Sequence, residues 1–242
     1  MVYHNSVKLA KDFYCYVWQG RGNNCNAVLL SSVLRGERPH ILVDPGHVSN
    51  ELGEPCFDSQ AQAMERDGFT MGSIGLVIGT HSHPDHIEAA ESVVEQSGAL
   101  FTQSREEDEF YRNVGKMFFQ AFGAKPPQID PFFYLEPGDL TLGAKDDKLA
   151  IKVLLTPGHS PGHQSFEVKL ANSGVFLLTI DAAYTTDHWN EKALPGFLSS
   201  AVETVRSVKK LHHIANRSDA TVVTGHDPDA WPSFNQSPAA YD

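Results

Sequence analysis

Apolar residues in this chain come in short runs broken by turn formers, and some of the intervening stretches carry a helical period. Runs at 13–18, 26–30 and 40–44 have strand length, separated by the Gly/Asn stretch 20–24 and the polar turn Arg35-Gly36-Glu37-Arg38-Pro39. Phe57, Ala61 and Met64 recur at helical spacing and predict a helix over 57–67. The run Ile74-Gly75-Leu76-Val77-Ile78-Gly79 predicts a strand. Pro84 then fits the first turn of a helix through Ile87, Ala90, Val93 and Val94 that ends near Gly98. After a strand at 99–101, Ser104-Arg105-Glu106-Glu107 reads as a capping box opening one helix with Phe110, Tyr111, Val114, Met117, Phe118 and Phe122. That aromatic stripe is expected in the core, the alternative being an apolar wall over a site or a subunit contact. Further strands are predicted at 140–142, 149–155, 165–170, 175–180 and 220–224. A last helix from 198 to about 216 puts Leu198, Val202, Val205, Val208 and Leu211 on one face. Glu203 near its start and Lys209, Lys210, His212, His213 and Arg217 near its end suit the helix dipole, which is the role expected of the two histidines. Strands interleaved with turns and helices predict an α/β layered domain, with residues 1–242 as one unit.

Composition narrows the class. A hydrophobic content of 41% supplies a sizeable core, and the formal charge of −11, with no basic cluster longer than Lys209-Lys210, argues against a nucleic-acid partner. No apolar run approaches the roughly 20 residues of a membrane span, and the N-terminus shows no secretory pattern, so no membrane partner and a cytoplasmic location are expected. Cys15, Cys25 and Cys56 have neither an even count nor CxxC spacing, which favours reduced, partly buried thiols over disulfides or a zinc knuckle.

The chemistry concentrates in Thr80-His81-Ser82-His83-Pro84-Asp85-His86, directly after an apolar strand. His81 and His83 can reach one cation together, and Asp85 and His86 a second. Neither sphere is complete, and three later strand ends offer what is missing: His159 after Thr156-Pro157-Gly158, Asp181 after Leu177-Leu178-Thr179-Ile180, and His226 after Thr224-Gly225. Each alone would be an ordinary turn or cap residue; together they predict a dinuclear metal site. Asp44, closing the strand before Pro45-Gly46, is either a solvated turn carboxylate or a group that orients a ligating histidine. His163 reads as support or packing rather than a ligand, and His188 lies near the site with no role fixed.

His81-Ser82-His83-Pro84-Asp85-His86 resembles the HxHxDH motif of the metallo-β-lactamase superfamily. The resemblance implies an αββα sandwich, a first metal on His81, His83 and His159, a second on Asp85, His86 and His226, and Asp181 bridging. Class B β-lactamases usually lack the bridging aspartate, flavodiiron proteins need a glutamate at His83, nucleases a basic face, and glyoxalase II enzymes a C-terminal helical domain. The stretches Thr156-Pro157-Gly158-His159-Ser160-Pro161-Gly162-His163-Gln164-Ser165 and Leu177-Leu178-Thr179-Ile180-Asp181-Ala182-Ala183-Tyr184-Thr185 instead resemble N-acyl homoserine lactone lactonases, with Gly225-His226-Asp227-Pro228. The departures are Ser82 and Pro84 within the first motif, Ile87-Glu88-Ala89-Ala90, where that family has small glycines, and the segment 103–133. The expectation is therefore a lactone-opening hydrolase using a metal-bridging hydroxide. Tyr184 would donate to the substrate, and Asp85 would pass a proton to the leaving oxygen. Zinc is the expected metal, with iron, manganese or cobalt as alternatives. An acyl lactone or other ester or thioester is the expected partner, and a homodimer would be compatible. A thioesterase or phosphodiesterase of the same fold is the alternative activity, and a non-hydrolytic iron or redox protein the alternative class.

Overall fold

The computed structural model describes residues 3–140, 149–170, 172–234 and 236–237. In chain order the elements are β1 (His4–Ala10), β2 (Phe13–Trp18), β3 (Ala27–Leu30), β4 (His40–Val43), α1 (Cys56–Arg66), β5 (Ile74–Ile78), α2 (Pro84–Ile87) and α3 (Ala90–Ser97). There follow β6 (Leu100–Gln103), α4 (Arg105–Phe110), α5 (Lys116–Ala121), β7 (Phe133–Tyr134), β8 (Gly138–Leu140), β9 (Leu149–Leu155), β10 (Gln164–Leu170) and β11 (Gly174–Ile180). Then come α6 (Thr186–Trp189), α7 (Ala201–Ser218) and β12 (Thr221–Thr224). The strand expected at 140–142 corresponds to β8 only at Leu140, its remainder falling outside the described residues.

Two sheets account for the strands, one ordered β1-β2-β3-β4-β5-β6-β7 and the other β12-β11-β10-β9-β8. The first is antiparallel from β1 to β4 and parallel from β4 to β7; in the second only β11 and β12 run parallel. Strand alternation assigns the layers. Phe13, Cys15, Val28, Leu30, Ile41, Val43, Leu76 and Ile78 of the first sheet share one cluster with Ile151, Val153, Phe166, Val168, Phe176 and Leu178 of the second. The residues between them point outward: Tyr14, Tyr16, Leu42 and Val77 meet Met64, Ile87, Val93 and Phe119. Leu154 and Leu177 meet Leu211, Ile214 and Ala215 of α7. Helix, sheet, sheet and helix are thus stacked as the expected αββα sandwich. Along β2, β3, β4 and β5 both residue parities are apolar, as strands covered on both faces require.

Several expectations are corrected. The first strand, β1, is an edge strand whose alternation (Val7 and Leu9 buried, Asn5 exposed) is too diluted by polar residues to read as a run. The helix through Ile87 and Ala90 is two pieces, α2 and α3. The helix over the aromatic stripe is broken by a π-turn at Tyr111–Gly115, which rotates its two ends apart. Of that stripe only Tyr111 is buried, joined in the core by Phe119, whereas Val114, Met117 and Phe122 are exposed. The face of α7 is also rotated. Ser200 caps it, so burial falls on Thr204, Ser207, Val208, Leu211, Ile214 and Ala215, leaving Val202 in solvent. His212 is not a free dipole-facing side chain: it stacks on Trp189 at 3.9 Å and bonds the Trp189 carbonyl at 2.7 Å, fixing the loop after β11 to α7. All three cysteines are free, and fully rather than partly buried.

Candidate metal centre

Four strands end at one rim of the sandwich. His81 and His83 follow β5, His159 follows β9, Asp181 follows β11 and His226 follows β12. The rim brings all seven candidate ligands together. Among the described residues three trios place their donor atoms within 4.8 Å of one another: His81, His83 and His159; His81, His86 and Asp181; Asp85, His86 and His226. In the first, His159 Nε2 lies 3.1 Å from His81 Nε2 and 2.7 Å from His83 Nδ1. In the last, His226 Nε2 lies 3.3 Å from His86 Nε2, and Asp85 Oδ2 is 3.7 Å from both. Asp181 stands between: its Oδ2 is 3.2 Å from His159 Nε2 and 3.4 Å from His86 Nε2, while its Oδ1 is 3.1 Å from His226 Nε2.

The surrounding hydrogen bonds fix which nitrogens are free. His86 Nδ1 donates to Asp44 Oδ2 (2.8 Å). Thr80 Oγ1 donates to the same oxygen and so accepts from His81 Nδ1 (3.0 Å). His159 Nδ1 donates to the Phe197 carbonyl (3.0 Å). In the neutral ring each commitment puts the lone pair on Nε2, aimed at the centre, as outer partners orient imidazoles that bind metals. At His86 burial is outweighed by Asp181, Asp85 and Asp44, which raise its pKa well above the usual imidazole value, so a cation there would displace the second proton. Of the two readings of Asp44, the orienting one is therefore the one observed. Burial lowers the pKa of His81 well below the usual imidazole value and brings those of His83 and His159 to about 4, with neighbouring histidines adding to the effect on His81. Neutral lone pairs facing one another at such distances repel, and a shared cation is what removes the repulsion. Asp181 Oδ1, buried without a hydrogen bond of proper geometry, points the same way. Nitrogen and carboxylate oxygen without sulfur form a set suited to a divalent metal site.

Other neighbours support this frame. His163 is outside every trio; its Nδ1 donates to Thr156 Oγ1 (2.9 Å) and its Nε2 accepts from the Asp181 backbone N–H (3.1 Å), so it holds Asp181 in place. Asn23 Nδ2 donates to Asp85 Oδ2 (2.8 Å), a contact that a Gly/Asn loop did not announce. The Tyr184 hydroxyl sits behind His159, 2.9 Å from Nδ1 and 3.3 Å from the Phe197 carbonyl, rather than on the Nε2 side. His188 packs edge-on against the Tyr184 ring at 5.5 Å.

The sequence profile of the metallo-beta-lactamase superfamily matches residues 20–226. The chain belongs to the metallo-β-lactamase superfamily. Within it, the N-acyl homoserine lactonase AttM of Agrobacterium fabrum is 44% identical over 77% of this chain and 69% of its own length. AttM of Azorhizobium caulinodans is 66% identical over a shorter match, 38% of this chain and 35% of its own length, so that comparison spans about a third of the relative. Among solved structures, a Bacillus thuringiensis AiiA mutant with N-decanoyl-L-homoserine bound at its active site superposes with a TM-score of 0.67 at 21% identity, covering 98% of this chain and 95% of that one. An N-acyl homoserine lactone hydrolase with N-hexanoyl-L-homoserine bound at its catalytic metal centre gives 0.65 at 22%, covering 93% and 87%. At such identities the likeness speaks for the fold.

Two departures from the lactonase pattern have a structural basis in this superfamily member. Glu88, where small residues are usual, is buried; it bonds His47 Nδ1 at 2.7 Å and accepts from the Lys125 backbone N–H, tying the divergent segment to the end of α2, which carries Asp85 and His86. In that segment Phe118 lies against His83 (ring centroids 5.7 Å) and Phe197 (5.4 Å), and Phe197 lies 5.1 Å from His83. The stripe is thus split between core and an apolar wall beside the centre.

Proposed function

We propose that this chain is a dinuclear-metal hydrolase that opens the ring of N-acyl homoserine lactones. The observation that carries the reading is the pair of converging trios with Asp181 between them, on a chain 44% identical to an N-acyl homoserine lactonase over 69% of that protein's length. The His/Asp donor set, with burial that keeps three imidazoles neutral, suits divalent cations; zinc is the metal we assign, and iron, manganese and cobalt fit the same donors. Divalent cations bound there supply Lewis acidity, which polarises a carbonyl and brings the pKa of water to about 7.

The chain's own groups do the rest. Asp181 sets Oδ2 beside His159 and His86 and Oδ1 beside His226, and so ties the two halves together. Asp85, facing the same centre, would take the proton that the attacking water gives up and pass it to the leaving alkoxide, which leaves the opened acid and its alcohol. Burial, with Asp181 and Asp85, raises the Tyr184 pKa, keeping the phenol an O–H donor. Its hydroxyl rests on the Nδ1 side of His159, so a side-chain rotation that releases the Phe197 carbonyl would have to precede its donation to the substrate carbonyl. Phe118 and Phe197 give an acyl chain an apolar wall beside His83.

The test is ring opening of a panel of N-acyl homoserine lactones by protein of known metal content, with a thioester and a phosphodiester in parallel. Mass spectrometry should register the addition of one water to the lactones, lost in His81→Ala. Two bound metals with turnover of the thioester or phosphodiester alone would replace this reading by the corresponding hydrolase.

A further inference from the structure

The capping-box sequence Ser104-Arg105-Glu106-Glu107 does only half of what such a box does. Ser104 Oγ accepts from the Glu107 backbone N–H (3.1 Å), as a cap should. The Glu107 carboxylate does not return to the Ser104 backbone. It turns inward, fully buried, and accepts from the Ser82 backbone N–H through Oε1 (2.8 Å) and from Ser160 Oγ (2.8 Å) and the Gly162 backbone N–H (2.9 Å) through Oε2. Ser82 lies between His81 and His83, and Ser160 follows His159. One carboxylate therefore joins two loops that leave different sheets and carry the three histidines of one trio.

The surroundings are built for this contact. Ser82 Oγ donates to the Glu107 carbonyl (3.2 Å), and Ser104 Oγ donates to the Gly162 carbonyl (2.8 Å). A Cβ at Gly162 would stand 2.3 Å from the Glu107 nitrogen, so only glycine admits the helix start so close. No ion pair involves Glu107 among the described residues. Burial raises its pKa while the donors from Ser82, Ser160 and Gly162 lower it. Helix capping needs no such buried carboxylate, since Ser104 already supplies the cap and an exposed glutamate would serve the dipole. What the carboxylate adds is the tie between the loops. The backbone bond from Gln164 N to Thr80 O (3.1 Å) links the same segments just before His81 and five residues after His159, and Glu107 links them beside the ligands.

We infer that Glu107 is a positioning residue that holds the His81/His83 loop and the His159 loop at the separation one cation requires. The inference rests on the reading of His81, His83 and His159 as ligands of one metal. It assigns no such role at Asp85, His86 and His226, which the Glu107 carboxylate does not approach by any hydrogen bond or ion pair among the described residues. Loss of an orienting partner costs about 10–100-fold in metal affinity.

The experiment measures cobalt affinity and the visible cobalt spectrum of the full chain after chelator treatment, in two single-site backgrounds. His226→Ala retains the trio of His81, His83 and His159; His159→Ala retains that of Asp85, His86 and His226. Adding Glu107→Gln should weaken cobalt binding about 10–100-fold and shift the cobalt bands in the first background, leaving both unchanged in the second. Ser160→Ala removes one of the three bonds with little risk to folding and should move the first constant the same way by a smaller factor. Equal losses in both backgrounds would mean general loosening, and no loss in either would mean that the tie sets nothing; each overturns the inference. A His226→Ala chain with Glu107 intact that binds no cobalt would overturn the ligand reading itself, and the inference with it.

Discussion

Asp44 holds φ of +50°, a conformation that costs a non-glycine residue on the order of 1 kcal/mol, and its carboxylate explains why the strain is kept. It accepts from the Thr80 backbone N–H, from Thr80 Oγ1 and from His86 Nδ1. An amide at this position would present a donor to one of these donors and push His86 towards the tautomer whose Nε2 carries the proton. Asp44→Asn should therefore weaken metal binding at the Asp85, His86 and His226 trio by about 10–100-fold, read by competition against a chromophoric chelator. Unchanged affinity would remove Asp44 from the metal's support. Side chains such as these divide sharply in how far the sequence reveals them. His81, His83, Asp85 and His86 were legible because they are contiguous, and His159, Asp181 and His226 because each ends an apolar run. Asp44 remained ambiguous because a strand-end aspartate serves a turn equally well. Glu107 was hidden because a local motif already accounted for it, and Asn23 because nothing local distinguishes it from a loop residue.

At the scale of elements, strands with consecutive apolar residues could be read within a residue or so of their ends, since burial on both faces leaves no polar interruptions. Helix faces were less legible. The face of α7 depends on where its cap falls, and Ser200 rather than Leu198 starts the helix because the Ser199 and Ser200 backbone N–H groups both reach the Gly158 carbonyl. The π-turn between α4 and α5 adds a rotation that no regular helical period contains. Gly158 is the joint between α7 and the His159 loop. Its φ is +137°, and a Cβ there would stand 2.3 Å from the Thr204 nitrogen. Gly158→Ala should lower stability by about 2–3 kcal/mol, combining a strained backbone with displacement of the start of α7. Urea unfolding would register this as a lower midpoint at an unchanged slope. A midpoint equal to that of the original chain would mean that α7 and the loop are not packed as described.

For the molecule as a whole, the acid limb of stability should come partly from histidines buried neutral away from the metal centre. His4 on β1 is the clearest. Its Nδ1 bonds Ser59 Oγ at 2.9 Å and its Nε2 lies 3.3 Å from Asn24 Nδ2; with Nε2 accepting from that amide, the ring's second proton would have to sit on Nε2 against a donor. Burial, and after it the charge of Arg66, lowers its pKa to about 3. The unfolded chain binds that proton near pH 6.5 and the folded chain only near 3, so between these values the unfolded state holds more protons. Stability must then rise with pH across that window and fall on acidification, while above pH 6.5 the group contributes no slope. Going from pH 7.5 to pH 5.0 it removes about 2 kcal/mol. Because Asn24 Oδ1 also accepts from the His47 backbone N–H, and His47 bonds Glu88 beside α2, protonation of His4 would strain the ties that seat α2. His4→Asn should therefore be less stable at pH 7.5, through lost packing, yet lose about 2 kcal/mol less than the original chain on going to pH 5.0. Urea titrations of both chelator-treated chains at the two pH values test this, since every other titrating group is common to both. Parallel losses would show that His4 takes up its proton at the same pH folded and unfolded, and that the acid limb arises elsewhere.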